Sequence, residues 1–298
     1  MRRTAGSGRQ WKLKNLEPPS KGGSLIRLVI CNQRGGVGKT TTAVTLARCF
    51  ADRGKRTLIL DLDSQGSVAT LLGLKPNHFV YHFLIEKRNL RECVAHIEGL
   101  PAPLDILCGN RMTNEAELML NNQVLREFVI SQLMMEPEQD YDVVLVDVAP
   151  SISLFQNCAS VYCQNTVIPV DMDVLSIQGA FATMHAEQML REMLIQARPH
   201  VPSRIVGFLP LKVHRGLQAT SHVMRSLEKM AREWDIPVLP AVRTDQAVLR
   251  ASRKRTFLAD IEPKSKALED YSTLADHILT LFEEQHGNVE AIATPAQV

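Results

Sequence analysis

Seven apolar, β-branched runs of strand length recur along this chain, and stretches with apolar residues at three- and four-residue spacing separate most of them. The runs cover 25–31, 56–61, 104–108, 141–147, 165–170, 204–209 and 236–242, while helical spacing marks 39–53, 113–134, 176–197, 217–234 and 266–285. A strand that is apolar throughout must be covered on both faces, and joining parallel strands requires a crossover helix. The pattern therefore predicts a single-domain α/β fold, a mostly parallel twisted sheet with helices on both faces. The body is expected over 25–286, with a basic, flexible leader at 1–24 and a flexible tail at 287–298.

Composition narrows the class without adding a function. Of 298 residues, 34 are Lys or Arg and 32 Asp or Glu, giving a net charge of +2, and 45% are hydrophobic, so disordered and fibrous chains are excluded. No apolar run approaches the roughly 18 residues that a membrane-spanning helix requires, so no membrane association is expected. Cysteines 31, 49, 93, 108, 158 and 163 form no Cys-x-x-Cys pair, as expected of buried thiols in a reducing, cytoplasmic compartment. The charge is segregated. Arg2, Arg3, Arg9, Lys12, Lys14 and Lys21 stand against Glu17 alone in the leader, a net +5, which reads as a solvated leader or as an arm that touches nucleic acid. Residues 243–266 carry a net +4, so the remainder is acidic and an anionic partner is expected on one face.

Directly after the first strand comes Asn32-Gln33-Arg34-Gly35-Gly36-Val37-Gly38-Lys39-Thr40-Thr41-Thr42, and a helix opens there. Glycines allow main-chain N–H groups to converge on phosphate oxygens, and the helix N-terminus adds positive partial charge. Lys39 is placed to neutralise β- and γ-phosphates, and the Thr40 hydroxyl to ligate Mg²⁺. The ordinary pattern G-x-x-x-x-G-K-[ST] fails, because position 33 is Gln33 rather than glycine. Two further stretches belong with the loop. Asp61-Leu62-Asp63-Ser64-Gln65-Gly66 brings two acids to the C-terminal crevice of a parallel strand, where α/β sheets bind ligands. Tyr141 to Asp147 is an apolar strand ending in a carboxylate, a Walker B arrangement in which Asp147 would bind Mg²⁺ through water.

These motifs resemble those of the ParA/MinD superfamily, whose deviant Walker A box reads Lys-Gly-Gly-x-Gly-Lys-[Thr/Ser], often after Asn-Gln. Gly35, Gly36, Gly38, Lys39 and Thr40 match, and Arg34 replaces the signature lysine. The resemblance implies ATP bound by residues 34–41 (Arg34, Gly35, Gly36, Val37, Gly38, Lys39, Thr40 and Thr41), with Mg²⁺ as cofactor. It also implies an ATP-sandwich homodimer in which Arg34 contacts the partner's phosphates. Asp61-x-Asp63-x-Gln65-Gly66 is similar to the family's second motif. On that basis Asp63 activates the attacking water, with Lys39 and Arg34 completing the catalytic set, and Asp61 supports the Mg²⁺ hydration shell. The family's Asp-x-Pro-Pro appears here as Asp147-Val148-Ala149-Pro150, one proline short. Ile168-Pro169-Val170, Ser176-Ile177-Gln178-Gly179 and Glu262-Pro263-Lys264-Ser265-Lys266 extend the likeness to about residue 285, close to partition ATPases. It places the adenine pocket near 210–212 and 241–245.

Family members touch DNA non-specifically through basic residues near this C-terminal stretch, and Arg243, Arg250, Arg253, Lys254 and Arg255 fall there. The expectation is a ParA-like, nucleoid-associated ATPase of weak intrinsic activity. ATP-driven dimerisation gates DNA binding, and a ParB-like or other cargo adaptor stimulates hydrolysis, segregating a plasmid or chromosome or positioning another cargo. A nucleotide-gated DNA-binding regulator with little hydrolysis stays open because of Arg34. A MinD-like membrane-cycling ATPase would need a basic amphipathic C-terminal helix, whereas Phe282-Glu283-Glu284 is acidic. An iron–sulfur electron carrier of nitrogenase-reductase type would need cluster cysteines that Cys93 and Cys108 do not form.

Overall fold

The computed structural model describes residues 25–197, 203–214 and 216–293, so the expected leader at 1–24 and residues 294–298 of the expected tail lie outside the described residues. Seven strands form one sheet: β1 (Ile26–Ile30), β2 (Thr57–Asp61), β3 (Ala95–Ile97), β4 (Leu104–Leu107), β5 (Val143–Asp147), β6 (Asn165–Asp171) and β7 (Arg204–Leu211). Their order is β3-β4-β2-β5-β1-β6-β7. Every pairing is parallel except the edge pair β3–β4.

The helices are α1 (Lys39–Asp52), α2 (Ser67–Leu72), α3 (Val80–Leu84), α4 (Leu90–Cys93), α5 (Met112–Leu120), α6 (Val129–Met134), α7 (Leu154–Cys163), α8 (Val174–Ala197), α9 (Gln218–Glu233), α10 (Gln246–Lys254), α11 (Leu258–Ile261) and α12 (Lys266–Ala293). Alternation along β1 divides the core. Leu28 and Ile30 face one side with Phe50 of α1 and Leu274 and Ile278 of α12, whereas Val29 and Cys31 face the other with Phe155 and Cys158 of α7. The covered, mostly parallel sheet read from the apolar runs is the sheet observed. All six cysteines are buried and free.

Strand β1 lies inside the sheet, between β5 and β6. Chain leaving it turns back over the sheet into α1 and returns as β2 beyond β5, whereas the chain leaving β5 crosses to β6 on the opposite side of β1. Strand order thus reverses around β1, which opens a crevice at its C-terminal end.

The secondary-structure expectations fail in particular places. The run 236–242 is not a strand. It makes one isolated bridge, Val238 with Phe208, because Pro237 and Pro240 offer no N–H to a ladder, and a second, Arg243 with Val213, lies just past its end. The helix expected over 113–134 breaks into α5 and α6 around Leu125, whose φ is 59°, followed by a 3₁₀ turn at Arg126–Phe128. The short edge strand β3 and helix α10, beneath the basic run, were both missed. Helix α12 continues through Ala293, past the helix end expected at 285.

Candidate active site

Register aligns the strand ends that matter. Asp147 on β5 pairs with Ile30 on β1 at one side and with Asp61 on β2 at the other, so both carboxylates and the start of the Gly-rich loop lie abreast. Three different strands, β1, β2 and β5, deliver these residues to the C-terminal end of the sheet.

The loop is braced from several elements. Asn32, fully buried, donates from Nδ2 to the Pro169 carbonyl at 2.7 Å and accepts from the Arg34 N–H at 2.8 Å. The Gln33 N–H donates to the Thr183 hydroxyl of α8 at 2.9 Å. Lys212 donates to the Gly36 carbonyl at 3.1 Å and also pairs with Asp171. Gly38 takes φ 105°, a left-handed conformation costly for any side chain, and from there α1 begins with no acid in its first turn. A 14-residue helix therefore points its unneutralised positive end at the loop. Within the loop Val37 is buried, Arg34, Gly35 and Gly36 are exposed, and Thr40 and Thr41 are half-buried. Ser176-Ile177-Gln178-Gly179 also belongs to this brace. A Cβ on Gly179 would stand 2.5 Å from Asn32 Oδ1 and 2.8 Å from Arg34 Cβ.

Lys39 folds beneath the loop, only 7% exposed, and its ammonium donates to the carbonyls of Asn32 at 3.1 Å and Arg34 at 3.2 Å. Burial lowers its pKa, and the nearby Asp147 charge opposes that shift. Asp147 is fully buried, and neither carboxylate oxygen has a hydrogen-bond partner among the described residues. Burial pushes its pKa well above the usual carboxylate range. The Thr40 hydroxyl and Lys39 pull it back, the hydroxyl acting from outside hydrogen-bonding geometry. An ionised carboxylate left unpaired in the interior costs several kcal/mol. Beside a half-buried threonine hydroxyl and a phosphate-sized main-chain cradle, such a group fits a hydrated divalent cation.

Asp61 is equally buried but engaged, accepting from the N–H groups of Asp63 at 3.1 Å and Val68 at 3.3 Å. Burial, and then Asp147, raise its pKa. Asp63 lies at the crevice, 9% exposed, with Oδ1 accepting from the Gln65 N–H at 2.9 Å. The segments suggested for the adenine pocket meet where the Val242 N–H donates to the Pro210 carbonyl at 2.9 Å, and Lys212 ties them to the loop at Gly36.

The basic candidates divide. Arg243 is committed to α12, paired with Asp270 at 2.8 Å and Glu269 at 2.7 Å, so it is not a free cation as the sequence suggested. Arg250 pairs with Glu262. Arg253, Lys254 and Arg255 end α10 exposed and form no ion pair among the described residues. Sequence reasoning missed Thr183, Asp171 and the loop contact of Lys212; a hydroxyl, an acid and a lysine in separate elements carry no local signal of a shared target.

Comparison with known proteins agrees with this geometry. A family model described as an AAA domain matches residues 26–197. The chain is 27% identical over 256 residues to the sporulation initiation inhibitor protein Soj of Bacillus subtilis, covering 84% of this chain and 97% of that protein. It is 35% identical over 186 residues to the chromosome-partitioning ATPase Soj of Thermus thermophilus, covering 61% and 68% respectively. Among solved structures, cobyrinic acid a,c-diamide synthase from Mycobacterium smegmatis, with bound ATP analogue and magnesium, superposes with a TM-score of 0.72 at 22% identity, covering 87% of this chain and 96% of that one. An ATP complex of a Cyanothece McdA variant gives 0.72 at 16% identity, covering 85% and 97%. At these identities the structures establish the fold.

Proposed function

This chain belongs to the ParA/MinD superfamily of ATPases, and from that premise we propose that it is a ParA-like positioning ATPase. In this reading ATP and Mg²⁺ assemble a homodimer, the dimer binds DNA without sequence preference, and an adaptor stimulates hydrolysis and release. The observation that carries the reading is Asp147, a buried carboxylate with no hydrogen-bond partner among the described residues, abreast of a braced glycine loop.

Each role follows from placement. Main-chain N–H groups of residues 35–40 receive the phosphates, and Thr41 continues the first turn of α1. Lys39 exchanges two neutral carbonyls for β- and γ-phosphate oxygens, an interaction between opposite charges in a water-poor site. The Thr40 hydroxyl would ligate Mg²⁺, Asp147 would hold it through water and Asp61 would support its hydration shell; an ion held there would supply neutralisation of the phosphate charge. Asp63 orients and polarises the attacking water. Exposed Arg34 extends to the partner's phosphates, where its planar fork offers two parallel donors. Arg253, Lys254 and Arg255 meet DNA phosphates, and Arg250 joins them on leaving Glu262. Arg243, held by α12, positions the start of that segment. No helix among the described residues is long and apolar enough to cross a membrane, and the DNA-bound state is nucleoid-associated.

The decisive experiment is DNA co-sedimentation with ATP, ADP and no nucleotide across a salt series. ATP-dependent binding that weakens linearly in log salt supports the reading, and binding indifferent to nucleotide refutes it. Arg34 favours a second reading, a nucleotide-gated regulator with little hydrolysis, because arginine never deprotonates and is bulkier than the signature lysine. Turnover measured with and without DNA and adaptor separates the two.

A further inference from the structure

An open cleft of about 670 Å³ lies between the α2–α3 segment and the loop from β4 to α5. Its lining includes Ser64, Gln65 and Gly66, the turn that follows Asp63, and Gly109, which packs on that turn. A Cβ on Gly109 would stand 2.4 Å from the Asp63 carbonyl oxygen, and one on Gly66 2.7 Å from the Gly109 carbonyl oxygen. Gln65 and Asn114 offer amide donors on the walls, Lys75 and Arg111 add two cations, and no Asp or Glu lines it. Both cations are exposed and form no ion pair among the described residues.

Arg255 joins this cleft to the basic run. Turning left-handed after α10 with φ 53°, it packs on Gly73, the cap of α2, where an added Cβ would lie 3.2 Å from Arg255 Cβ. Lys75 follows two residues later, so the free cations at the end of α10 continue into those of the cleft. Cations that form no ion pair among the described residues, beside a cleft lined by no acid, are what a polyphosphate backbone requires.

We propose that this cleft is part of the DNA interface, with Lys75 and Arg111 neutralising backbone phosphates beside those met by Arg253, Lys254 and Arg255. The inference rests on the DNA-binding reading above. It also gives that reading a physical link, because DNA held here presses on the turn that carries Asp63.

The test is salt-dependent DNA co-sedimentation of the full chain with Mg-ATP, comparing wild type, Lys75→Gln/Arg111→Gln and Arg253→Gln/Lys254→Gln/Arg255→Gln. Thermal melting of each variant checks folding. Two lost phosphate contacts should flatten the log K against log salt slope by about 1.8 and weaken binding roughly 10- to 100-fold near 0.1 M salt. If the α10 variant loses affinity while Lys75→Gln/Arg111→Gln keeps the wild-type slope, the cleft takes some other partner and this inference falls, leaving the DNA reading intact. If wild type sediments with no DNA under any nucleotide, the DNA reading falls and takes the inference with it.

Discussion

Asp61 and Asp147 are register partners at the ends of β2 and β5, both fully buried, yet only Asp61 has its charge met by main-chain donors. Asp147 is thus a stability cost, one that its proposed role in holding Mg²⁺ would offset. Asp147→Asn should raise the melting temperature of the nucleotide-free protein, by about 1–4 kcal/mol of unfolding free energy near pH 8, while abolishing Mg-ATP turnover. Differential scanning calorimetry beside a phosphate-release assay checks both. A lower melting point with activity kept would show that the carboxylate is satisfied by the protein itself.

Lys39 and Asp63 should fail at different steps. Lys39→Ala removes the cation under the loop, and calorimetry should find no Mg-ATP binding. Asp63→Ala keeps the cradle but removes the carboxylate proposed to polarise the attacking water, so ATP should bind with near-normal affinity, turnover should drop at least 100-fold, and the protein should stay on DNA. Equal turnover in both variants and wild type would refute the assignment.

Gly179→Ala tests the brace on the loop from α8. Its Cβ would fall 2.5 Å from Asn32 Oδ1 and 2.8 Å from Arg34 Cβ, and neither atom can retreat without moving the loop. We expect about 1–3 kcal/mol of destabilisation and weaker Mg-ATP binding, read by thermal melts and titration calorimetry. Unchanged nucleotide affinity would mean that the loop tolerates displacement at this point.

Glu187 should leave a mark on the pH dependence of stability. It is 5% exposed, accepting from the Ser160 hydroxyl at 2.6 Å and the Thr166 hydroxyl at 2.9 Å; burial raises its pKa and the two hydroxyls only partly restore it. The folded state therefore holds this proton more tightly than the unfolded state. Stability is unpenalised below the ordinary value of 4.5, declines as pH rises from there through the raised folded value, and is flat above it. Glu187→Gln should remove that decline, as melting temperatures between pH 4 and pH 9 would show. An identical decline in the variant would assign it to other groups.

Local order was written into the chain. Alternation of apolar runs with helical spacing fixed a covered parallel sheet, and the run of glycines before Lys39 and Thr40 announced an anion cradle, because both depend on backbone geometry and on residues adjacent in sequence. Where strands were misjudged, as at 236–242, Pro237 and Pro240 had already withheld the donors a ladder needs. Tertiary structure decided what depends on distant partners. Lys212 reaches Gly36 across 176 positions, Thr183 meets Gln33 across 150, and Arg243 gives its charge to Asp270 while Arg253 keeps its own. Periodicity reports which face of an element is apolar. Which charge finds a partner is settled only when separate elements pack, because Coulomb energy depends on separation and burial and not on position along the chain.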